Sequence, residues 1–495
     1  MRRLLLILSG VLALCNIARS ADLVYEMNAN CRNAYQAAIE LRLTDAARIL
    51  SEEKKANPNN LIPVYLENYI DFFELFFNED PDLFARRKHL YEDRLKILAK
   101  GPESSPYHLF TRSAVHLQWA FVYIKFGKHW DGGWSFRRSF LQAKENASKF
   151  PAFSPSQMYL GAMETAAGTI PEGYRWLSGL LGIRGTIESG MKRLSTFIDT
   201  DQSLNNLYRD EAIFYYLYLS NYVLNDRKGV FDFMQSRQLD LRQNHLFAYM
   251  AANLSLNNQR SKDAENIINS RKKGSRYLQT PVWDFEMGYS KLYQLEPEAG
   301  AYFVRFIQQF RGRYYVKDAL QKLSWHYYLN GNVTEARRYR QMILQKGTTD
   351  TEADKQAHKE AKTDRWPNPL LLKARLLNDG GNNREALGLL HGKSINDFTL
   401  PEEKLEFAYR AARLFDDTGK EEQAISYYKL AIDLGENRTE YFAARAALQL
   451  GFLYERQGRC SVAAGWFRKC LSLKDHDYKN SLDQKAKAGL MRCAN

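Results

Sequence analysis

Near the end of the chain, from Leu405 to Leu473, small and apolar residues return on a helical period in two successive blocks. In the first block Ala412, Phe415, Gly419, Ala424, Tyr428 and Ala431 are separated by three, four, five, four and three positions. Gly451, Tyr454, Gly458, Ala463, Phe467 and Cys470 repeat those offsets in the second. The spacing predicts a helix with one small and aromatic face, a glycine turn, and a second helix that folds back on the first. Each block can be counted so that its small residues fall at places 8, 20 and 27 and its turn at place 15. The two starts are then Leu405 and Ala444. The same register gives starts at Pro367, Lys317, Pro281 and His245, the last three evenly spaced by 36 residues, and another at Met27. Lys373 is a mismatch, since an apolar residue is expected there.

Pro58, at the end of the Met27 block, suits the point where a second helix must stop. Between 61 and 225 the pattern stays helical but leaves this register. Amphipathic runs cover Leu61–Phe77, Asp82–Lys100, Tyr107–Lys125 and Phe136–Lys149. Shorter helices lie between Pro155, Pro171, Gly182 and Gly185, and Leu207–Leu224 reads as a buried helix rich in Tyr and Phe. The stretch Lys346–Trp366 is polar and charged, and reads as an exposed loop or an extended helical turn.

The paired blocks resemble the tetratricopeptide repeat, a helical hairpin of about 34 residues. Such a hairpin cannot bury its apolar face alone, so the resemblance implies neighbours stacked side by side. The fold expected is all-α: a tetratricopeptide-like α-solenoid, a superhelix of helical hairpins, with a divergent helical middle. Its parts are a signal peptide at 1–20, repeat-like helices at 21–102, the divergent region at 103–200, and repeats at 201–345. A charged loop at 346–366 and C-terminal repeats with a closing helix at 367–495 complete it.

The run Pro171–Leu194 carries a second resemblance. Its proline-started apolar helix, the Leu180-Leu181-Gly182 turn, Gly185 and Gly190 are similar to the signature region of the Iml2-like family of tetratricopeptide-repeat proteins. Gly132-Gly133 and the Arg137-Arg138 helix upstream add to the likeness, although Thr186-Ile187 stand where that family carries an acidic–basic pair. The resemblance implies an interaction protein linked to membrane or lipid homeostasis, without enzymatic activity.

The first twenty residues change the picture of where the chain works. Arg2 and Arg3 precede the apolar run Leu4–Leu14, and Ala18-Arg19-Ser20 ends in small residues. That is the pattern of a secretory signal cleaved after Ser20, and the run is too short to span a membrane. Cys15 follows Leu14, which fits lipid anchoring poorly, so the expectation is an exported periplasmic or cell-envelope protein. Loss of Arg2, Arg3 and Arg19 lowers the formal charge of the 495-residue chain from +13 to +10. The basic residues are scattered, as on solvated helix faces, and export argues against nucleic acid; contact with an anionic membrane surface stays open. Composition, 45% hydrophobic and 26% charged, is ordinary for a folded protein. Cys31, Cys460, Cys470 and Cys493 remain after cleavage. Cys460 and Cys470 lie about 15 Å apart on one predicted helix and cannot pair. A closing helix would bring Cys493 level with Cys460, leaving a disulfide or two thiols as the alternatives.

Candidate chemistry is sparse. The sequence holds no nucleophile elbow, zinc-binding His pair, phosphate loop or calcium loop. His116 and His245 lie on apolar helices and read as core. No enzyme activity, cofactor or metal is expected. In the repeat, places 2, 5, 9, 12 and 13 of each first helix line the concave side. They hold Tyr249 and Asn253, then Phe285, Tyr289 and Tyr293, then Gln321, Trp325 and Tyr328, and finally Arg375, Tyr409, Arg413, Leu448 and Phe452. Tyr, Trp and Arg anchor binding well because they offer large rigid area and strong hydrogen bonds. The reading is a non-catalytic scaffold that holds a protein or peptide in this groove. A nutrient-binding envelope protein that stacks glycans on the aromatics is the alternative, and a shifted register would make the stripe core.

Overall fold

The computed structural model describes residues 22–168, 185–363 and 365–494. The predicted signal peptide and the Pro171–Gly182 part of the family-like run lie outside them. Every regular element among the described residues is helical, apart from one isolated bridge between Val24 and Asn60. The protein is therefore all-α.

The hairpins fall where the register puts them. They are α1 (Ala29–Ile39) with α2 (Leu43–Ala56), α12 (His245–Asn257) with α13 (Ser261–Ser270), and α14 (Val282–Leu292) with α15 (Ala299–Gln309). Then follow α16 (Val316–Leu329) with α17 (Val333–Gln345), and α19 (Pro369–Asp379) with α20 (Asn383–Leu390). The last two are α21 (Pro401–Asp417) with α22 (Glu421–Gly435), and α23 (Phe442–Arg456) with α24 (Cys460–Ser472). Place 15 is left-handed in every one: Leu41, Gln259, Leu295, Gly331, Gly381, Gly419 and Gly458 have φ of 58, 60, 56, 79, 84, 74 and 71°. One left-handed residue ends the first helix and reverses the chain. Glycine does this without strain, and the side-chain-bearing residues do it at a cost the packing must offset. Ala34, Ala46, Ala252, Ala264, Ala336, Ala386, Ala412, Ala424, Ala431 and Ala463, at places 8, 20 or 27, are all fully buried. At Gly451 a methyl group would sit 2.3 Å from the Phe467 ring, and at Gly489 on α25 (Lys479–Arg492) it would sit 2.4 Å from the same ring. The small residues are there because the helices touch.

At three places the structure sharpens or differs from the expectation. The middle is less divergent than expected: α6 (Tyr107–Lys125) and α7 (His129–Lys149) form a close hairpin around Gly127, whose φ is 73°. Ala120, Tyr123, Gly127, Gly132, Phe136 and Ser139 there repeat the offsets three, four, five, four and three. One apolar cluster runs from Cys31 to Leu278, across the bounds expected at 102/103 and 200/201. It ties α1 and α3 (Ile62–Asn78) to α8 (Pro155–Gly168), α9 (Ile187–Asp199) and α10 (Ser203–Tyr222). At its centre the buried Glu211 accepts hydrogen bonds from Tyr35 at 2.7 Å and from Tyr69 and Tyr215 at 2.8 Å. Finally, of the loop and the helical turn expected over 346–366, the structure has the helical form. The stretch contains α18 (Glu352–Ala361), which buries Ala357 against α16, while Asp354 accepts the backbone N–H groups of Tyr315 at 2.8 Å and Asp318 at 3.0 Å. The heptad-like spacing of Asp354, Ala357 and Ala361 was masked by the surrounding charge.

Gly190 explains part of the family-like run. A methyl group there would lie 2.2 Å from Thr165 Oγ1 and 2.6 Å from the Gly161 carbonyl, so α8 and α9 cross backbone to backbone. No helix among the described residues is long and apolar enough to cross a membrane.

Candidate partner-binding groove

The first helices of consecutive hairpins stand side by side: α12 on α14, α14 on α16, α19 on α21, α21 on α23, with α25 beside α23. Places 5, 9 and 13 of these helices therefore make a wall in two runs, α12–α14–α16 and α19–α21–α23, which meet where the Arg375 guanidinium lies over the Trp325 ring at 4.9 Å. Following it from α10 to α25 passes first a tyrosine-rich section and then a cationic one.

In the tyrosine section Tyr218 and Tyr222 stack with ring centroids 5.9 Å apart, and Phe77 packs edge-on against Tyr249. Tyr222 is half exposed; its hydroxyl donates to Asn253 Oδ1 at 3.1 Å, and Asn253 Nδ2 donates to Glu286 Oε1 at 2.9 Å. Glu286 is only 2% exposed, and burial pushes its carboxyl up to about 7 against the opposing pull of Asn253. Tyr222, Tyr249 and Tyr315 are near enough to feel its charge. Phe285 packs edge-on against Tyr289 at 5.1 Å and tilted against Phe306 at 4.9 Å, half in the core and half on the wall. Tyr289 hydrogen-bonds Asp318, which also accepts from Lys322 Nζ at 2.8 Å.

The predicted residues are brought together unevenly. Tyr249, Asn253, Phe285, Tyr289 and Arg375 are half-buried along the wall. Trp325 is 3% exposed, capped by Lys322 Nζ at 4.3 Å and by the Arg375 guanidinium at 4.9 Å. Tyr409 is 1% exposed; burial raises its phenol, but Arg445, Arg413 and Arg410 outweigh that and hold it below its ordinary value. These two rings support the wall from behind. Tyr328 is covered by Trp366, stacked at 4.6 Å, and stands apart from the others. Gln321 donates to Glu360 of α18 at 2.6 Å. Cys460 and Cys493 are free cysteines; burial and a hydrogen bond with the Cys460 side chain push the Cys493 thiol up to about 11.

In the cationic section the places 9 and 13 pair along each helix. Arg375 lies 3.7 Å from Asp379, and Arg413 lies 3.5 Å from Asp417 and 3.9 Å from Asp379 of the neighbouring hairpin. The turn after α10 faces this ladder, so Arg227 shares a cavity of about 280 Å³ with Arg413, Asp416, Asp417, Glu421, Gln449 and Arg456. Burial, with the charges of Arg445 on α23 and of Arg227, pushes the Lys485 ammonium on α25 down to about 8. Sequence reasoning missed Tyr222, Glu286, Arg227, Arg445 and Lys485. Arg445 was recoverable, since it occupies place 2 of its block; Arg227 and Lys485 lie outside any block. Among the described residues no group of His, Cys, Asp and Glu is arranged to hold a metal ion. The chain matches no protein-family model and no curated protein.

Proposed function

We propose that the chain is an exported, non-catalytic scaffold of tetratricopeptide-like hairpins that holds a protein or peptide segment against this wall. The observation that carries the reading is the shared register. Left-handed residues at place 15 turn every hairpin alike, and Tyr249, Tyr289, Arg375 and Arg413 stand half-buried or buried at places 5 and 9 of separate hairpins, which supports a shared binding face. Half-buried tyrosines fixed by hydrogen bonds lose little freedom on binding, which makes them efficient anchors. The resemblance of the 171–194 run to an interaction family points the same way, and the secretory pattern expected at 1–20 is the ground for proposing export.

The test selects binding peptides on the full mature chain and measures them against single variants. Tyr222→Ala and Tyr249→Ala are suited to it, because both rings lie on the wall. Trp325→Ala is not, since emptying a buried indole site costs about 3–5 kcal/mol of stability. Tyr222→Ala is expected to weaken binding about tenfold, the loss of roughly 1.4 kcal/mol, with an unchanged melting temperature. Undiminished binding in both variants would reject the wall as the binding surface.

A further inference from the structure

Glu286 stands in the tyrosine section of the wall without a cation. Its Oε1 accepts from Asn253 Nδ2 at 2.9 Å. Among the described residues nothing donates to Oε2, and no lysine, arginine or histidine lies within ion-pair distance of either oxygen; Oε2 still touches open space. The cations on neighbouring elements are committed elsewhere. Lys322 Nζ is held by Asp318 at 2.8 Å and by Gln321 at 3.2 Å, and Lys125 by Glu79 at 2.7 Å. Lys291 pairs with Glu265 and Glu296 at 2.6 Å each, and Arg305 with Asp284 at 2.7 Å. Asn253 has nothing more to give, because its Oδ1 accepts from Tyr222 while its Nδ2 serves Glu286.

The groups beside this carboxyl are aromatic. Tyr222, 51% exposed, is tied through Asn253 to Glu286 and stacks on Tyr218. Tyr249 lies one turn before Asn253 on α12. Tyr315, 42% exposed, holds its ring 5.8 Å from that of Phe285, the residue before Glu286. We infer that Glu286, with the rings of Tyr222, Tyr249 and Tyr315, forms a subsite for a positively charged side chain, lysine or arginine, of the segment held on the wall. This inference rests on the scaffold reading above and names the chemistry its partner must carry. Tyrosine faces attract an ammonium or guanidinium through the ring quadrupole, and the carboxylate attracts it by charge. Both attractions strengthen as the bound segment displaces water. A neutral amide would satisfy Oε2 but leave the charge unbalanced, in a place where burial already holds this carboxyl up at about 7. An anionic group would meet Glu286 as a like charge.

The test uses peptides selected on the full mature chain near neutral pH. They are expected to carry an arginine or lysine whose replacement by citrulline or norleucine, its uncharged counterpart, weakens binding about tenfold or more. On Glu286→Gln, which keeps the shape and the acceptor for Asn253, the same replacement is expected to cost less than about twofold. A second readout needs no peptide. With ionic strength matched by sodium chloride, n-butylammonium chloride is expected to raise the melting temperature of the wild type saturably, and to half-saturate at about tenfold higher concentration or more in Glu286→Gln. Peptides that need Tyr222 but lose the same affinity with their charge in both proteins leave the wall standing and overturn the subsite. No saturable butylammonium response, or equal half-saturation in both proteins, overturns it as well. Peptides indifferent to Tyr222→Ala and Tyr249→Ala, beside a butylammonium response that Glu286→Gln abolishes, would reject the peptide wall and overturn the side-chain assignment in favour of a free organic cation.

Discussion

Replacing Glu286 by Gln isolates the most perturbed carboxyl on the wall. Glu286 is 2% exposed and has one hydrogen-bond donor, Asn253, so burial raises it from 4.5 to about 7. At about 1.36 kcal/mol for each tenfold change in proton affinity, that displacement corresponds to roughly 3 kcal/mol. The sign follows from linkage. The folded chain binds this proton more tightly than the unfolded chain, so the contribution is fully present below about 4.5 and is lost as the pH rises through about 7. Gln keeps the shape, preserves an acceptor for Asn253 and cannot ionise. Glu286→Gln is therefore expected to match the wild type at pH 4.5 and to exceed its stability by up to about 3 kcal/mol at pH 8.5. Urea unfolding of both proteins across this range, followed by circular dichroism, measures the difference directly, and subtraction cancels the other titrating groups. A difference that does not change with pH, or a wild type favoured at high pH, would refute the reasoning.

Two further perturbations probe the hairpins and their closure. Gly451→Ala places a methyl group 2.3 Å from the Phe467 ring and is expected to cost about 1–3 kcal/mol. Gly465→Ala meets nothing within 4 Å on the same hairpin and is expected to gain about 0.5–1 kcal/mol. Thermal melts that rank these variants the other way would contradict the packing. Oxidised glutathione is expected to join Cys460 and Cys493 with loss of two thiols in a titration, closing a loop worth about 4 kcal/mol by chain entropy. Cys493→Ser removes the effect, and an unchanged thiol count in the wild type would show that the two side chains cannot pair.

Much of the fold was legible because it rests on backbone needs that few residues satisfy. Place 15 demands a left-handed residue, and glycine marks it at Gly331, Gly381, Gly419 and Gly458. Leu41, Gln259 and Leu295 take the same conformation without that mark, so the early hairpins read more faintly. The α6–α7 hairpin carried the full pattern from Ala120 to Ser139, yet flanking elements off register hid it. On the wall, place numbers located Tyr249, Tyr289, Arg375 and Arg413, but they could not tell a wall ring from a supporting one. Trp325 and Tyr409 lie deeper because cations from neighbouring positions fold over them, which is a property of three helices and not of one. Arg227 and Lys485 were beyond reach for a different reason. Closure of the chain on itself brings a turn near residue 227 against helices near 413 and 445, and no local spacing encodes that approach.

The central claim is that ligands engage the tyrosine-lined wall and not the outer helices. A photo-crosslinking amino acid placed at Tyr222, half exposed on the wall, and separately at Leu344, exposed on α17, tests it most directly in intact cells. The account predicts a discrete crosslinked product from position 222, lost when a selected wall-binding peptide competes, and none from position 344. Products from position 344 alone, or products from 222 that the peptide does not displace, would contradict it.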